Sequence, residues 1–280
     1  MGAAVSSYAR PVTLTEALRL LAEGNWRVLA GGTDLYPGTG RALPGSVLDV
    51  TEISGFRGIT TNNGLRIGAA TPWAEIAGAA GLPPALRALQ QASSLVGGRQ
   101  IQVAGTIGGN LCNASPAADG VPPLLALGAE VELASAEGIR RLALTDFLLG
   151  PRKTALRAGE VMVAVVIPEA GLSGRSAFVK LGARTHLVIS IAMVAARVVV
   201  EAGRVTEAAV AVGSCSAVAT RLPAVEAALR GAVAGEATGR IAAGDVMAAL
   251  SPIDDVRATP AYRGAAAVEL VRRAVTEALS

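Results

Sequence analysis

Two glycine pairs constrain this chain more than any other feature. They sit in AGGTD at residues 30–34 and in TIGGN at 106–110. Each stands where a strand or helix signal gives way to a loop. Glycine lacks a Cβ, so the backbone can take positive φ and a ligand can approach it closely. Successive N–H groups in such a loop converge on an anion. Thr33, Thr106, Asn110 and Ser115 add neutral donors, and no Lys or Arg falls within either motif. Asp34 and Asp119 can accept from ribose hydroxyls or ring N–H groups. The set reads as a cradle for a dinucleotide. Neither motif is G-x-G-x-x-G and neither ends in the Lys-Ser/Thr of a P-loop, which excludes those two cradles. One glycine pair alone is more often a plain turn; two, each flanked by Thr and Asn or Asp, favour a nucleotide-like ligand.

Composition narrows the classes further. The 280 residues allow one large or two modest domains, and 51% hydrophobic content supplies a core. Against 25 basic residues stand 22 acidic ones, a net +3 that is too balanced for a nucleic-acid surface. Cys112, Cys215 and the single His186 are scattered, which argues against a disulfide framework, a cluster held by this chain's cysteines, or a zinc site. MGAAVSSYARP lacks the apolar segment of a signal peptide, although it matches M-G-x-x-x-S without a polybasic companion. The most apolar run, VISIAMVAARVVV, is too short to span a bilayer and carries Arg197. A cytoplasmic protein without a membrane span is expected.

Along the chain, TLTEALRLLAEG carries a capping box, Thr13 and Glu16, ahead of helical spacing that Gly24 ends. WRVLA, SVLDVT and GLRIGAAT read as strands, with Asn62-Asn63-Gly64 as a turn. Thr71-Pro72 reads as an N-cap followed by Pro at the first helical position. PALRALQQASSLV is a helix, VPPLLALGAEVELAS a helix then a strand, and EVMVAVVIP a buried strand. PEAGLSGRS, 168–176, marks a domain boundary. Beyond it SAFVKLG, ISIAMVAARVVV and RVTEAAVAVGS read as strands, the last two joined tightly at Glu201-Ala202-Gly203. Helices follow in TRLPAVEAALRG, ATGRIAAGDVMAAL and PAYRGAAAVELVRRAVTEAL. Strands followed by helices imply an α+β domain.

AGGTDLYP and TIGGNLCNASPAAD together resemble the FAD-binding, or medium, subunit of molybdenum hydroxylases, the xanthine dehydrogenase and carbon monoxide dehydrogenase family. YARPVTLTEALRLLAEG, LVGGRQIQVAGTIGGN, TDFLLGPRKTALRAGEVMVAVVIP and DDVRATPAYRGAAAVELVRR extend the resemblance over nearly the whole chain. It implies an α+β fold: an FAD-binding domain at 1–170, with subdomains of about 1–55 and 56–170, then a C-terminal domain at 175–280 with a small antiparallel sheet and helices. By motif match it implies FAD contacts at Ala30, Gly31, Gly32, Thr33 and Asp34, then at Thr106, Gly108, Gly109, Asn110, Ser115 and Asp119, with Asp119 on the ribose and adenine side. KLGARTHLVISIA resembles the segment that approaches the flavin ring, which adds Lys180, Arg184 and His186.

His186 reads as a flavin-edge residue or, more often for a lone histidine beside an apolar run such as LVISIA, as a buried structural one. Cys112 reads as a structural thiol, since nothing near it in the motif lowers its pKa. The resemblance further implies molybdopterin on a large partner subunit, [2Fe-2S] clusters on a small iron–sulfur subunit, and a dimer of such heterotrimers. Electrons would reach FAD on this chain and leave to an external acceptor. The chain shows no acid–base pair of its own, so the cofactor carries the redox step. A free-standing flavoenzyme of the same fold and a flavin-free scaffold are the rival readings. Gly109→Val is expected to empty the flavin site.

Overall fold

The first subdomain is organised by one amphipathic helix. In the computed structural model, which describes residues 7–37, 45–61 and 63–280, β1 (Tyr8–Ala9) leads into α1 (Leu14–Glu23). The myristoylation pattern and Asn62 lie outside the described residues. The N-cap half of the expected box forms: Thr13 Oγ1 accepts from the Glu16 N–H at 3.3 Å. Ala17 and Leu21 are buried against β2 (Trp26–Leu29) and β3 (Ser46–Asp49). These strands make a three-stranded parallel sheet in the order β1-β3-β2. Gly24 ends α1 in an extended conformation, φ −157°, its N–H donating to the Leu20 carbonyl.

The second subdomain contains β4 (Ile59–Thr61), β5 (Leu65–Gly68), α2 (Trp73–Gly78), α3 (Arg87–Leu95), α4 (Arg99–Ala104), α5 (Ile107–Asn113) and α6 (Val121–Ala126). Then come β6 (Glu130–Ser135), β7 (Gly138–Ala143), α7 (Leu144–Phe147), the hairpin of β8 (Leu148–Gly150) and β9 (Lys153–Thr154), and β10 (Val161–Ile167). The main sheet is antiparallel in the order β4-β5-β10-β6-β7, so its last strand lies at its centre. All seven residues of β10 are buried, which explains why EVMVAVVIP reads as a continuous apolar run.

The C-terminal part is an antiparallel sheet of β11 (Arg175–Leu181), β12 (Ala192–Glu201), β13 (Arg204–Gly213) and β14 (Thr220–Arg221), covered by α8 (Pro223–Leu229), α9 (Ala243–Ala248) and α10 (Pro260–Leu279). Both faces of β12 are buried. Val194, Ala196 and Val198 face the helical core with Val271 and Val275, while Met193 and Ala195 pack on Ala88, Ala92 and Ala126 of α3 and α6. This double burial replaces alternation with an unbroken apolar stretch. It also seats the C-terminal sheet on the second subdomain through an apolar interface. Ala202 and Gly203, at φ 48° and 75°, form the expected tight turn.

Three expectations are corrected. Thr71 does not cap α2: its hydroxyl accepts from the Gly58 N–H, and Pro72 occupies the cap position without a side-chain bond. The stretch 237–250 is two pieces, a 3-10 helix (Ala234–Arg240) and α9, broken at Ile241, whose extended backbone lets its side chain enter the core. TIGGN is not a loop. It is the start of α5, capped by Thr106, whose hydroxyl accepts from the Gly109 N–H at 3.1 Å.

Candidate functional site: a cleft between the two glycine motifs

The first motif follows β2 at its carboxyl end, where parallel strands present their loops to ligands. Gly31 packs directly on the end of α4, and a Cβ there would stand 1.9 Å from the Ala104 carbonyl oxygen. Gly32 has φ +69°, and a Cβ there would stand 2.3 Å from the Tyr36 ring. Both glycines are therefore required by the fold as well as available to a ligand. Among the described residues, the N–H groups of Gly31, Gly32, Thr33 and Asp34 have no intramolecular acceptor. Four neighbouring unspent donors form the kind of concavity that takes an anion.

The second motif is built differently. Its first N–H groups are all committed: Ile107 donates to Thr71 O, Gly108 to Ala69 O, Gly109 to Thr106 Oγ1 and Asn110 to Thr106 O. What it offers the cleft is absence of bulk and a side chain. A Cβ on Gly109 would meet only Thr106 Oγ1, at 3.0 Å, and otherwise open space. Asn110 Oδ1 is buried without a hydrogen-bond partner, an exception in a folded chain that calls for an explanation. Beneath lies Trp73, fully buried, whose N–H donates to Gly105 O. Ala114, at φ 45°, ends α5 in the left-handed region.

Between the motifs runs an open cleft of about 400 Å³. It is lined by Ala30, Gly31, Gly32, Thr33 and Asp34 from one side and by Thr106, Gly108, Gly109 and Asn110 from the other. Apolar walls come from Val28, Leu29 and Val50, from Trp73, Val96 and Ile101, and from Leu156, Val161 and Met162. Among the described residues, no Lys, Arg or His lines it. Neutral donors, glycines that leave room, apolar walls and one orphaned amide oxygen fit a dinucleotide cofactor with a flat ring system. Composition did not reveal the apolar walls. Val161 and Met162 reach the cleft because β10 outruns β5, which pairs only from Ala164 onward.

Glu160 also lines the cleft, but its carboxylate is committed: Arg140 Nε and Nη2 donate at 2.6 and 2.9 Å and the Arg157 N–H at 2.8 Å. The Arg140 hydrogen bonds hold its carboxyl below the usual carboxylate range. Burial pushes the Cys112 thiol in the cleft wall up to about 12, so it stays protonated at neutral pH, in keeping with a structural thiol.

Five expected contacts lie outside the cleft lining. Ser115 Oγ accepts from the Ala117 N–H in its own turn. Asp119 does not present a free carboxylate: one oxygen takes Lys180 Nζ at 2.7 Å and the other the Ser190 hydroxyl at 2.5 Å. Lys180 is correspondingly buried and paired, and its ammonium also donates to Leu95 O at 3.3 Å. Burial pushes the Asp119 carboxyl up, opposed by that ammonium. His186 is exposed on the segment between β11 and β12, not buried beside the apolar run, and Arg184 Nε there donates to Leu187 O.

A split cradle lined by glycines and neutral donors, followed by a helix-covered antiparallel sheet, defines the class as an α+β cofactor-binding protein of flavoprotein type. Residues 3–170 match the FAD-binding domain in molybdopterin dehydrogenase, and residues 177–278 match the CO dehydrogenase flavoprotein C-terminal domain. The chain belongs to this family of oxidoreductase flavoprotein subunits. It is 38% identical over 190 residues to the nicotinate dehydrogenase FAD-subunit of Eubacterium barkeri, a match covering 65% of this chain and 64% of that protein. The chain thus matches somewhat under two thirds of that relative's length. It is 28% identical to the nicotine 6-hydroxylase medium subunit of Paenarthrobacter nicotinovorans, over 97% of this chain and 96% of the other. Among solved structures it resembles carbon monoxide dehydrogenase from Hydrogenophaga pseudoflava, with a TM-score of 0.89 and 29% identity over 99% of this chain and 98% of that one.

Proposed function

We propose that this chain is the FAD-carrying medium subunit of a cytoplasmic molybdenum hydroxylase complex, passing electrons from an iron–sulfur partner to an external acceptor. The observation that carries the reading is the row of four unspent N–H groups, Gly31 to Asp34, opening on a cleft that no cationic side chain lines among the described residues. A pyrophosphate is the dinucleotide part that such donors hold. Residues 1–170 form the FAD-binding domain and 175–280 the C-terminal domain in this reading. FAD supplies the redox chemistry when bound. Thr33 and Thr106 offer hydroxyls, Asn110 uses its orphaned amide, and Gly109 leaves the space a phosphate needs. The apolar walls exclude water from the ring system. The ring end is assigned to the side of Val96 and Ile101. There Leu187, from the segment that bears His186, lies against Gly98, where a Cβ would stand 2.3 Å from its side chain.

Relatives named as dehydrogenase subunits and medium chains support a large molybdenum-binding partner and a small iron–sulfur partner. In a heterotrimer of that kind the substrate is oxidised on another chain. The deciding experiment is the visible spectrum of the purified chain, with acid-released flavin identified by chromatography. Stoichiometric FAD, and partner subunits retained on affinity capture, are expected. A colourless chain that also refuses added FAD overturns the reading.

A further inference from the structure

We propose that Asp119 is a positioning residue that fixes the exposed 182–189 segment of the C-terminal domain to the second glycine motif. One carboxylate holds both stems of that segment. Oδ2 takes Lys180 Nζ, at the end of β11, at 2.7 Å, and Oδ1 takes the Ser190 hydroxyl, just before β12, at 2.5 Å. The Ile191 N–H closes the base by donating to Leu181 O at 2.8 Å. All three clamp residues are buried: the side chains of Asp119 and Lys180 are 8% and 7% exposed, and Ser190 is 1% exposed. The segment they hold is otherwise thinly attached. Ala183 to Leu187 are all exposed, and Leu187 and Ile189 leave 59% and 51% of their surface in solvent.

The clamp crosses a domain boundary. Asp119 lies between α5 and α6, ten residues after Gly109, whereas Lys180 is in β11 and Ser190 lies just before β12. Its charge-assisted bonds set the position of Leu187 against Gly98, beside the cleft wall at Val96 and Ile101. Each carboxylate oxygen accepts a bond from one stem, so the carboxylate ties the two stems together. A loop pinned at both stems opens only when its clamp breaks, and that opening is what a protease reports.

The test is limited trypsin digestion of the full chain, following cleavage after Arg184, with the other Lys and Arg sites as internal controls. Asp119→Asn removes the charge that holds Lys180. The double variant D119N/K180M removes both charges and so leaves no unpaired buried ammonium to loosen the domain. In both variants cleavage after Arg184 is expected to rise at least tenfold, with cleavage elsewhere unchanged. Ser190→Ala, which frees one stem only, should give a smaller rise at the same bond. An unchanged rate after Arg184, or acceleration spread evenly over all sites, overturns the proposal. The digestion needs no cofactor. If the wild-type chain takes up no FAD, the proposed function falls while the cleavage comparison still decides the clamp.

Discussion

Valine at position 109 should separate cofactor binding from folding, because Gly109 and Gly31 face opposite surroundings. A Cβ on Gly109 meets one hydroxyl oxygen at 3.0 Å and then the open cleft. Replacing glycine in a helix also recovers some backbone entropy, up to about 1 kcal/mol. Gly109→Val should therefore leave stability within about 1 kcal/mol of the wild type. Intruding a side chain into a fitted contact costs about 1–3 kcal/mol, so FAD affinity should fall roughly 5- to 150-fold. Gly31→Ala meets backbone instead, with the Ala104 carbonyl oxygen at 1.9 Å and the Gly105 Cα at 2.8 Å. Nothing flexible can yield there, and about 2 kcal/mol of overpacking would lower the melting midpoint by about 4–8 °C in a domain of this size. The assay pairs thermal melts of the flavin-free proteins with FAD titrations followed by flavin fluorescence. A G109V protein that binds FAD like the wild type, or a G31A protein that melts with it, would refute the argument.

Three further outcomes are expected. Cys112, its thiol pushed up to about 12, should react with iodoacetamide at neutral pH orders of magnitude more slowly than a free cysteine of pKa about 8.5; rapid labelling would show that the wall is open. Glu160 has a folded pKa below its unfolded value of about 4.3, so its contribution to stability is complete above that pH and is lost as pH falls through the folded value. Glu160→Gln should accordingly flatten the melting midpoint against pH below about 5, and curves parallel to the wild type would count against the Arg140 pair. Arg263 is 1% exposed and donates to Ile191 O, Ser214 O and Asp255 Oδ1. Asp255→Asn leaves that guanidinium without its counter-ion and should cost about 3 kcal/mol in denaturant unfolding; a loss under about 1 kcal/mol would mean that the two carbonyls suffice.

The helices and strands most readable in the sequence were those whose signal is local. The Thr13 N-cap, the apolar spacing of α1 and the Ala202-Gly203 turn depend on neighbours only, and the structure forms all three. Thr71-Pro72 failed because the Thr71 hydroxyl found a partner thirteen residues away, at Gly58. The TIGGN helix was hidden by its glycines, which are poor helix formers. Its legible clue was Ile107 and Leu111, one turn apart and both fully buried. The candidate site divided in the same way. Residues 30–34 line the cleft together with Thr106, Gly108, Gly109 and Asn110, since Gly31 packs on Ala104 and Gly105 just before the second motif. Asp119 and Lys180 were singled out by sequence, but no local pattern could show that they are partners across a domain boundary.

The position of β10 at the centre of its sheet has a consequence during synthesis. β5 ends at Gly68 and waits for a neighbour that begins at Val161, and the cleft wall at Val161 and Met162 waits with it. At the usual pace of translation the intervening stretch of about ninety residues takes roughly 5–20 s to emerge. Throughout that interval the nascent chain carries a strand edge and apolar surface with no cover. Cofactor capture is therefore a late event on the ribosome, and a chain stalled before residue 160 would hold both glycine motifs and still have no cleft to fill.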